Sequence, residues 1–149
     1  MNLAMPEPIH RISYRVLYGD TDAGGMVYYG NYLRYFELGR TEYIRELAQT
    51  SYREIEDRGL ILPVIECYVR YKAPAVYDDL LVIETSLEEL KHVSCRFSYR
   101  ICRQEDDGSK KLLAKGFTVN AAVDSNGKLT RLPADLIEKL KKNLSHSLE

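Results

Sequence analysis

Tyr18-Gly-Asp-Thr-Asp-Ala-Gly-Gly-Met-Val-Tyr-Tyr-Gly-Asn-Tyr32 joins two segments of different hydrophobic period and sets two acids, Asp20 and Asp22, beside a glycine pair. Before it, residues 9–18 alternate. Ile12, Tyr14, Val16 and Tyr18 point one way, and Arg11, Ser13 and Arg15 the other, as in a half-buried strand. After it, over 29–49, Tyr32, Leu33, Phe36, Tyr43 and Leu47 recur at helical spacing, with charged residues filling much of the rest. The stretch is therefore a strand-to-helix turn. Such a turn can aim a carboxylate at a ligand and place free backbone N–H groups beside it.

Working outward, Gly39 falls inside the helical segment, where glycine costs about 1 kcal/mol against alanine. Close approach of a sheet on that side is the expected reason. A short second helix over 51–58 stops at Gly59. Four strand patterns follow, at 61–73, 80–90, 93–105 and 111–123, with Asp106-Asp-Gly-Ser109 as a hairpin turn. Pro133 then opens a helix that turns Leu136, Ile137, Leu140 and Leu144 inward. Four consecutive strands without crossover helices imply an antiparallel sheet, and one long helix can cover one of its faces. The expected class is α+β: a long central helix wrapped by a five-stranded antiparallel sheet, one domain over 9–145. Edge strands need covering, which points to a second subunit, as a homodimer or homotetramer.

Composition narrows the function classes. The chain has 149 residues and a formal net charge of −1, which argues against electrostatic commitment to nucleic acid or anionic membrane. No apolar run approaches the ~20 residues of a membrane span, and the first eight residues lack the basic and apolar regions of a secretory signal. A cytoplasmic location is expected. Cys67, Cys95 and Cys102 show no CxxC spacing and read as small hydrophobes or half-exposed thiols. Of the histidines, His10 and His146 read as surface residues, and His92 lies in a turn between two strands.

The acidic turn has several readings. Asp20, Thr21 or Asp22 can simply cap the helix, and the glycines can serve only a sharp turn. A calcium loop opens on D-x-D, but the fifth position here is Gly24 and the twelfth is Asn31 rather than glutamate. No Gly-Lys-Ser/Thr and no G-x-G-x-x-G is present, which removes the nucleotide loops. The remaining chemical reading is that one acid works as a general base or nucleophile on an activated acyl carbon. The helix-start N–H groups after Val27 would then stabilise the oxyanion.

The run from Asp20 to Tyr32, continued by Phe36-Glu-Leu-Gly-Arg-Thr-Glu42 and by Tyr71-Lys-Ala-Pro-Ala-Val-Tyr-Asp-Asp-Leu80, resembles the signature of the hotdog-fold 4-hydroxybenzoyl-CoA thioesterase family. Within it, the likeness is nearest to the bacterial acyl-CoA thioesterases associated with the Tol–Pal system. The resemblance implies a hotdog fold and hydrolysis of a small or medium acyl-CoA to free acid and CoA, with no cofactor or metal. It makes Asp22 the catalytic carboxylate and Tyr29 the residue whose backbone N–H polarises the thioester carbonyl. Gly25, Val27, Tyr28, Asn31 and Tyr32 would surround the substrate, and Lys91, His92 and Ser94 would lie near the CoA arm. The Tol–Pal group usually carries histidine where this chain has Tyr29, but any residue except proline keeps the backbone donor. Asn31 is also suited to holding the turn. A non-catalytic acyl-CoA or acyl-carrier-protein binding module on the same fold is the alternative, and a hydratase acting on enoyl thioesters fits the motif order poorly.

Overall fold

A computed structural model describes residues 5–142 and 144. Strand β1 spans His10–Arg15 and is followed by the acidic turn. Helix α1 (Asn31–Leu47), a short α2 (Tyr52–Asp57), strands β2 (Val64–Tyr71), β3 (Leu80–Leu90), β4 (Ser94–Gln104) and β5 (Lys110–Ala121), and helix α3 (Ala134–Lys141) complete the chain. The five strands form one antiparallel sheet in the order β1-β3-β4-β5-β2. Sequence neighbours β2 and β3 therefore do not pair. Strand β2 crosses to the far edge beside β5, and β1 closes the other edge, with α1 packed on the strands between.

The alternation of the strands sets the core. In β4, Cys95, Phe97, Tyr99 and Ile101 are buried beneath α1. Phe36 of α1 stacks on Tyr99 with centroids 4.2 Å apart and planes 5° from parallel, and Tyr43 meets Phe97 edge-on. Burying each such aromatic side chain contributes about 1.5–3 kcal/mol. The long helix, marginal by itself, is thus held by its packed face.

Two glycines are explained by space. A Cβ on Gly39 would sit 2.3 Å from Thr85 Oγ1 and 2.9 Å from Ile83 Cγ2, so the helix comes close to β3, as its sequence position suggested. Gly116 is tighter still, because its Cβ would lie 2.0 Å from the Tyr68 carbonyl oxygen and 3.0 Å from Phe36 Cε2. Backbone cannot yield as a side chain can. Gly116→Ala is expected to destabilise by about 2–3 kcal/mol through overpacking, a fall in Tm of roughly 10 °C at this chain length. A thermal melt within a degree or two of the unsubstituted protein would contradict this account.

The structure corrects several boundaries and burials. Strand β1 ends at Arg15. After Val16 N–H donates to the Asp79 carbonyl, the chain turns through a single 3-10 turn at Tyr18–Asp20. Tyr18, expected inward, is 77% exposed. Helix α1 runs over 31–47, with Tyr35 and Ile44 buried and Leu33 exposed. His10 is buried at 7% exposure, with its Nε2 2.8 Å from Glu46 Oε2, and so ties β1 to α1. A polar ring at the start of a strand reads as a surface group in the sequence because its partner lies 36 residues away. The three cysteines are free; Cys67 is exposed, and Cys95 and Cys102 are buried. His146 lies outside the described residues. No helix among the described residues is long and apolar enough to cross a membrane.

Candidate active site

The acidic turn is a small closed hairpin. Asp22 N–H donates to the Met26 carbonyl (2.8 Å), Gly25 N–H to the Asp22 carbonyl (3.0 Å), and Thr21 bridges to Val27. Gly25 has φ +82°, the left-handed region that a side chain would strain. The turn is fastened to the segment after β2. Val27 N–H donates to the Ala75 carbonyl, and Met26 bridges to Val76.

The two acids have different surroundings. Asp20 is 4% exposed. Its Oδ2 accepts hydrogen bonds from Tyr14 OH (2.7 Å), Leu17 N–H (3.0 Å) and Tyr35 OH (3.1 Å). Burial, then the Asp20 carboxylate, push Tyr14 up to about 12 and Tyr35 upward as well. Both phenols thus remain donors at neutral pH. The Asp20 carbonyl accepts from Tyr28 N–H (2.9 Å) and from the Asn31 side-chain amide (2.8 Å). Asp20 is therefore the internal anchor of the turn.

Asp22 is exposed. Its Oδ1 accepts from Gly24 N–H at 2.9 Å and, more weakly, from Met26 N–H at 3.4 Å. Its Oδ2 accepts no hydrogen bond among the described residues. One oxygen is thus oriented by the loop, and the other faces whatever enters.

Asp22 lines a pocket of about 350 Å³ together with Met26, Val27, Tyr29, Tyr32, Tyr71, Lys72, Ala73 and Pro74. Tyr71 meets Tyr32 edge-on at 5.1 Å and Tyr29 at 6.4 Å, so three aromatic rings form one wall. Lys72 is the cation in the lining, held below its usual range by the Arg70 guanidinium, with burial and Lys115 adding to the effect.

The backbone at the helix start carries free donors. Val27 and Tyr28 N–H groups are paired, and Asn31, Tyr32 and Leu33 donate to the carbonyls of Tyr28, Tyr29 and Gly30. The N–H groups of Tyr29 and Gly30 donate to no acceptor among the described residues. Among the described residues, the first unpaired backbone donor after Val27 is thus the Tyr29 N–H. These two donors sit at the positive end of a 17-residue helix.

Of the residues singled out from sequence, Asp22, Val27, Tyr29 and Tyr32 share the pocket. Gly25 shapes the turn without lining it. The Tyr28 ring lies tilted against Tyr29 with centroids 4.7 Å apart, and Asn31 has its amide engaged with Asp20. Lys91, His92 and Ser94 do not join this pocket within one protomer. Ser94 stands level with Ala121, whereas the pocket end of β2, Tyr71, stands level with Ala114. At ~3.3 Å per residue, that separates them by roughly 20 Å along β5. The hairpin holding His92 is tied instead to the segment before α3, through Leu132 N–H on the His92 carbonyl. Tyr71, Ala73 and Pro74 were missed as pocket walls. They stand out in the sequence only as the Tyr-Lys-Ala-Pro run, and nothing local shows that the end of β2 meets the acidic turn.

Residues 16–140 match the family model of the thioesterase-like superfamily, and the chain belongs to that superfamily. It has the hotdog architecture of those proteins, a five-stranded antiparallel sheet packed around a long helix. Among similar proteins, a putative esterase of Aquifex aeolicus is 35% identical over 127 residues, 85% of this chain and 94% of that protein. The acyl-CoA thioesterase YbgC of Haemophilus influenzae is 39% identical over 110 residues, 74% of this chain and 77% of that one. Among solved structures, a 4-hydroxybenzoyl CoA thioesterase mutant complexed with 4-hydroxybenzoyl CoA superposes with a TM-score of 0.81 at 25% identity. The superposition covers 89% of this chain and 98% of that one.

Proposed function

We propose that this chain is an acyl-CoA thioesterase, a hydrolase that cleaves the thioester of a small or medium acyl-CoA to the free acid and CoA at the Asp22 pocket. The observation that carries the reading is one exposed carboxylate, with one oxygen held by the loop and the other open, on a pocket shared with the Tyr29 residue whose N–H is unpaired. Likeness to relatives named acyl-CoA thioesterases supports it.

In the general-base route, Asp22 takes a proton from water as the water oxygen bonds to the thioester carbon. The carbonyl oxygen becomes an oxyanion facing the Tyr29 N–H. The C–S bond then breaks, and the CoA thiolate leaves and is protonated. In the nucleophilic route, the carboxylate itself displaces CoA, and water opens the resulting mixed anhydride. Both routes need the same carboxylate and donor. Tyr29, Tyr32 and Tyr71, with Met26 and Val27, form the wall against which the acyl group packs. Tyr28 and the turn at Gly25 shape the entrance. The Lys91–Ser94 hairpin is not assigned to this pocket. Free-thiol release from a panel of acyl-CoAs, compared between the wild-type protein and Asp22→Asn, tests the reading. Binding of acyl-CoA without thiol release by the wild-type protein would overturn it.

The reading includes a single domain over 9–145, acting in the cytoplasm as a homodimer. Strand β2 is an unpaired edge whose Val64, Ile65, Tyr68 and Tyr71 are all exposed, the kind of template another chain pairs with. Two-fold pairing of β2 with its copy is antiparallel, and it sets the Tyr71 end of one strand beside the Val64 end of the other. The Asp22 pocket then borders the partner. Sedimentation velocity is expected to show twice the chain mass of 17.2 kDa at micromolar concentration; a monomer there would remove the interface.

A further inference from the structure

The hydroxyl of Tyr71 does more than complete the aromatic wall. It donates a 2.9 Å hydrogen bond to the Tyr29 carbonyl, across 42 residues of sequence. That carbonyl already accepts the Tyr32 N–H at 3.3 Å in the first turn of α1. The peptide in question is Tyr29–Gly30. At one end it has the Tyr29 oxygen, and at the other the Gly30 N–H, one of the two unpaired donors at the helix start. The other, the Tyr29 N–H, is on the adjoining peptide. A trans peptide is planar, with its C=O and N–H pointing in opposite directions. Fixing where the Tyr29 oxygen points therefore fixes where the Gly30 N–H points. It also restrains the Tyr29 dihedrals on which the neighbouring N–H depends. A donor on the carbonyl further polarises the amide, so the N–H becomes a better donor.

Among the described residues, no other group of the sheet hydrogen-bonds to this peptide. Gly30 has no side chain, and Tyr28 packs against its Cα closely enough that an added Cβ would lie 2.7 Å from Tyr28 Cε2. Gly30 itself is in an ordinary helical conformation, φ −65° and ψ −23°, so nothing in its backbone strain fixes the peptide. Tyr71 is anchored at the end of β2 through its pairing with Ala114. The sheet thereby reaches across the pocket and grips the helix start. Burial raises the Tyr71 phenol above its ordinary range, with Tyr29 adding to the effect, so it remains a donor through neutral and mildly alkaline pH.

We propose that Tyr71 is a positioning residue for thioester hydrolysis, its hydroxyl holding the Tyr29–Gly30 peptide so that the helix-start N–H groups face the developing oxyanion. The proposal rests on the assignment of Asp22 and the Tyr29 N–H as the reacting groups.

Tyr71→Phe tests it, because the ring and both edge contacts stay while the hydroxyl is removed. The expected result is a fall in kcat of roughly tenfold, smaller than the 10²–10³-fold loss from deleting an oxyanion donor outright. KM is expected to stay within about twofold, since a loss confined to the transition state leaves ground-state binding in place. Sedimentation and thermal melting of this variant should match the wild-type protein. Tyr71→Leu, which also removes the ring, should raise KM as well. Unchanged kcat in Tyr71→Phe, or a rise in KM with kcat preserved, makes Tyr71 only a wall and overturns the proposal. Asp22→Asn measured alongside separates the two ideas. If it collapses turnover while Tyr71→Phe does not, the positioning role alone fails. If Asp22→Asn turns over normally, the assignment beneath it fails.

Discussion

Asp22→Asn is expected to lower kcat/KM for acyl-CoA hydrolysis by about 100-fold or more, the scale of general acid–base contributions, equivalent to about 2.7 kcal/mol of transition-state stabilisation. The structure shows why the substitution isolates chemistry. Oδ1 of Asp22 accepts from the Gly24 and Met26 N–H groups, and an asparagine oxygen accepts equally well. The turn is preserved, while an amide neither takes a proton from water nor attacks a thioester. The side chain is exposed, so stability should change by no more than about 0.5 kcal/mol. Thiol release and a thermal melt on the same preparation check both halves. A variant that melts with the wild-type protein and turns over at its rate removes Asp22 from the reaction. One that melts far lower shows Asp22 to be part of the frame.

Asp20→Ala should behave in the opposite way, destabilising by about 3–5 kcal/mol, since hydrogen bonds to charged groups contribute about 1.5–3 kcal/mol each and their donors are left unpaired. Three donors meet at one buried oxygen: the Tyr14 and Tyr35 hydroxyls and the Leu17 N–H. Tyr35 is itself buried, so its orphaned hydroxyl has no water to turn to. Against a typical total stability of 5–15 kcal/mol, that is a large fraction, and Tm should fall by more than about 10 °C. Asp20→Asn retains an acceptor oxygen and should fall between. Activity would drop as well, because the Asp20 carbonyl holds Tyr28 and Asn31 at the start of the helix. Here, however, the loss follows unfolding. A melt of Asp20→Ala within two degrees of wild type would show that the anchor is not needed.

The two acids stand two residues apart, and their separation into anchor and exposed carboxylate was only partly legible. The spacing of Gly24 and Gly25 after Asp22 marks a turn, and the shift from period two to helical period marks the start of α1. Neither reveals that Tyr14 and Tyr35 converge on Asp20, because Tyr35 comes from the far side of the turn, 15 residues on. Tyr18 departs from the strand alternation for a related reason. Alternation carried on through the sequence after the strand had ended, and the 3-10 turn that swings Asp20 inward leaves Tyr18 in solvent. His10 reads in the sequence as a polar strand opening, whereas in the fold Glu46 of α1 lies 2.8 Å from its ring.

Local periodicity by itself determined the elements: the hairpin of β3 and β4, the long helix, the glycine where α1 approaches β3, and the acidic turn before the helix. These follow from short-range preferences and alternating burial, which are carried by neighbouring residues. The sheet order was decided only by tertiary structure. Strand β2 passes over its neighbour β3 to pair with β5, because both sides of β3 are taken by β1 and β4 and the outer side of β5 is open to it. The same crossing brings Tyr71, Lys72 and Pro74 against the acidic turn, while Lys91, His92 and Ser94 lie at the opposite end of the β3–β4 ladder. Contacts between residues forty or more positions apart depend on how whole elements pack, and no window of sequence contains both partners. The sequence thus supplies the carboxylate and the backbone donors, and the long-range crossing sets the aromatic wall and the hydroxyl that grips the helix start.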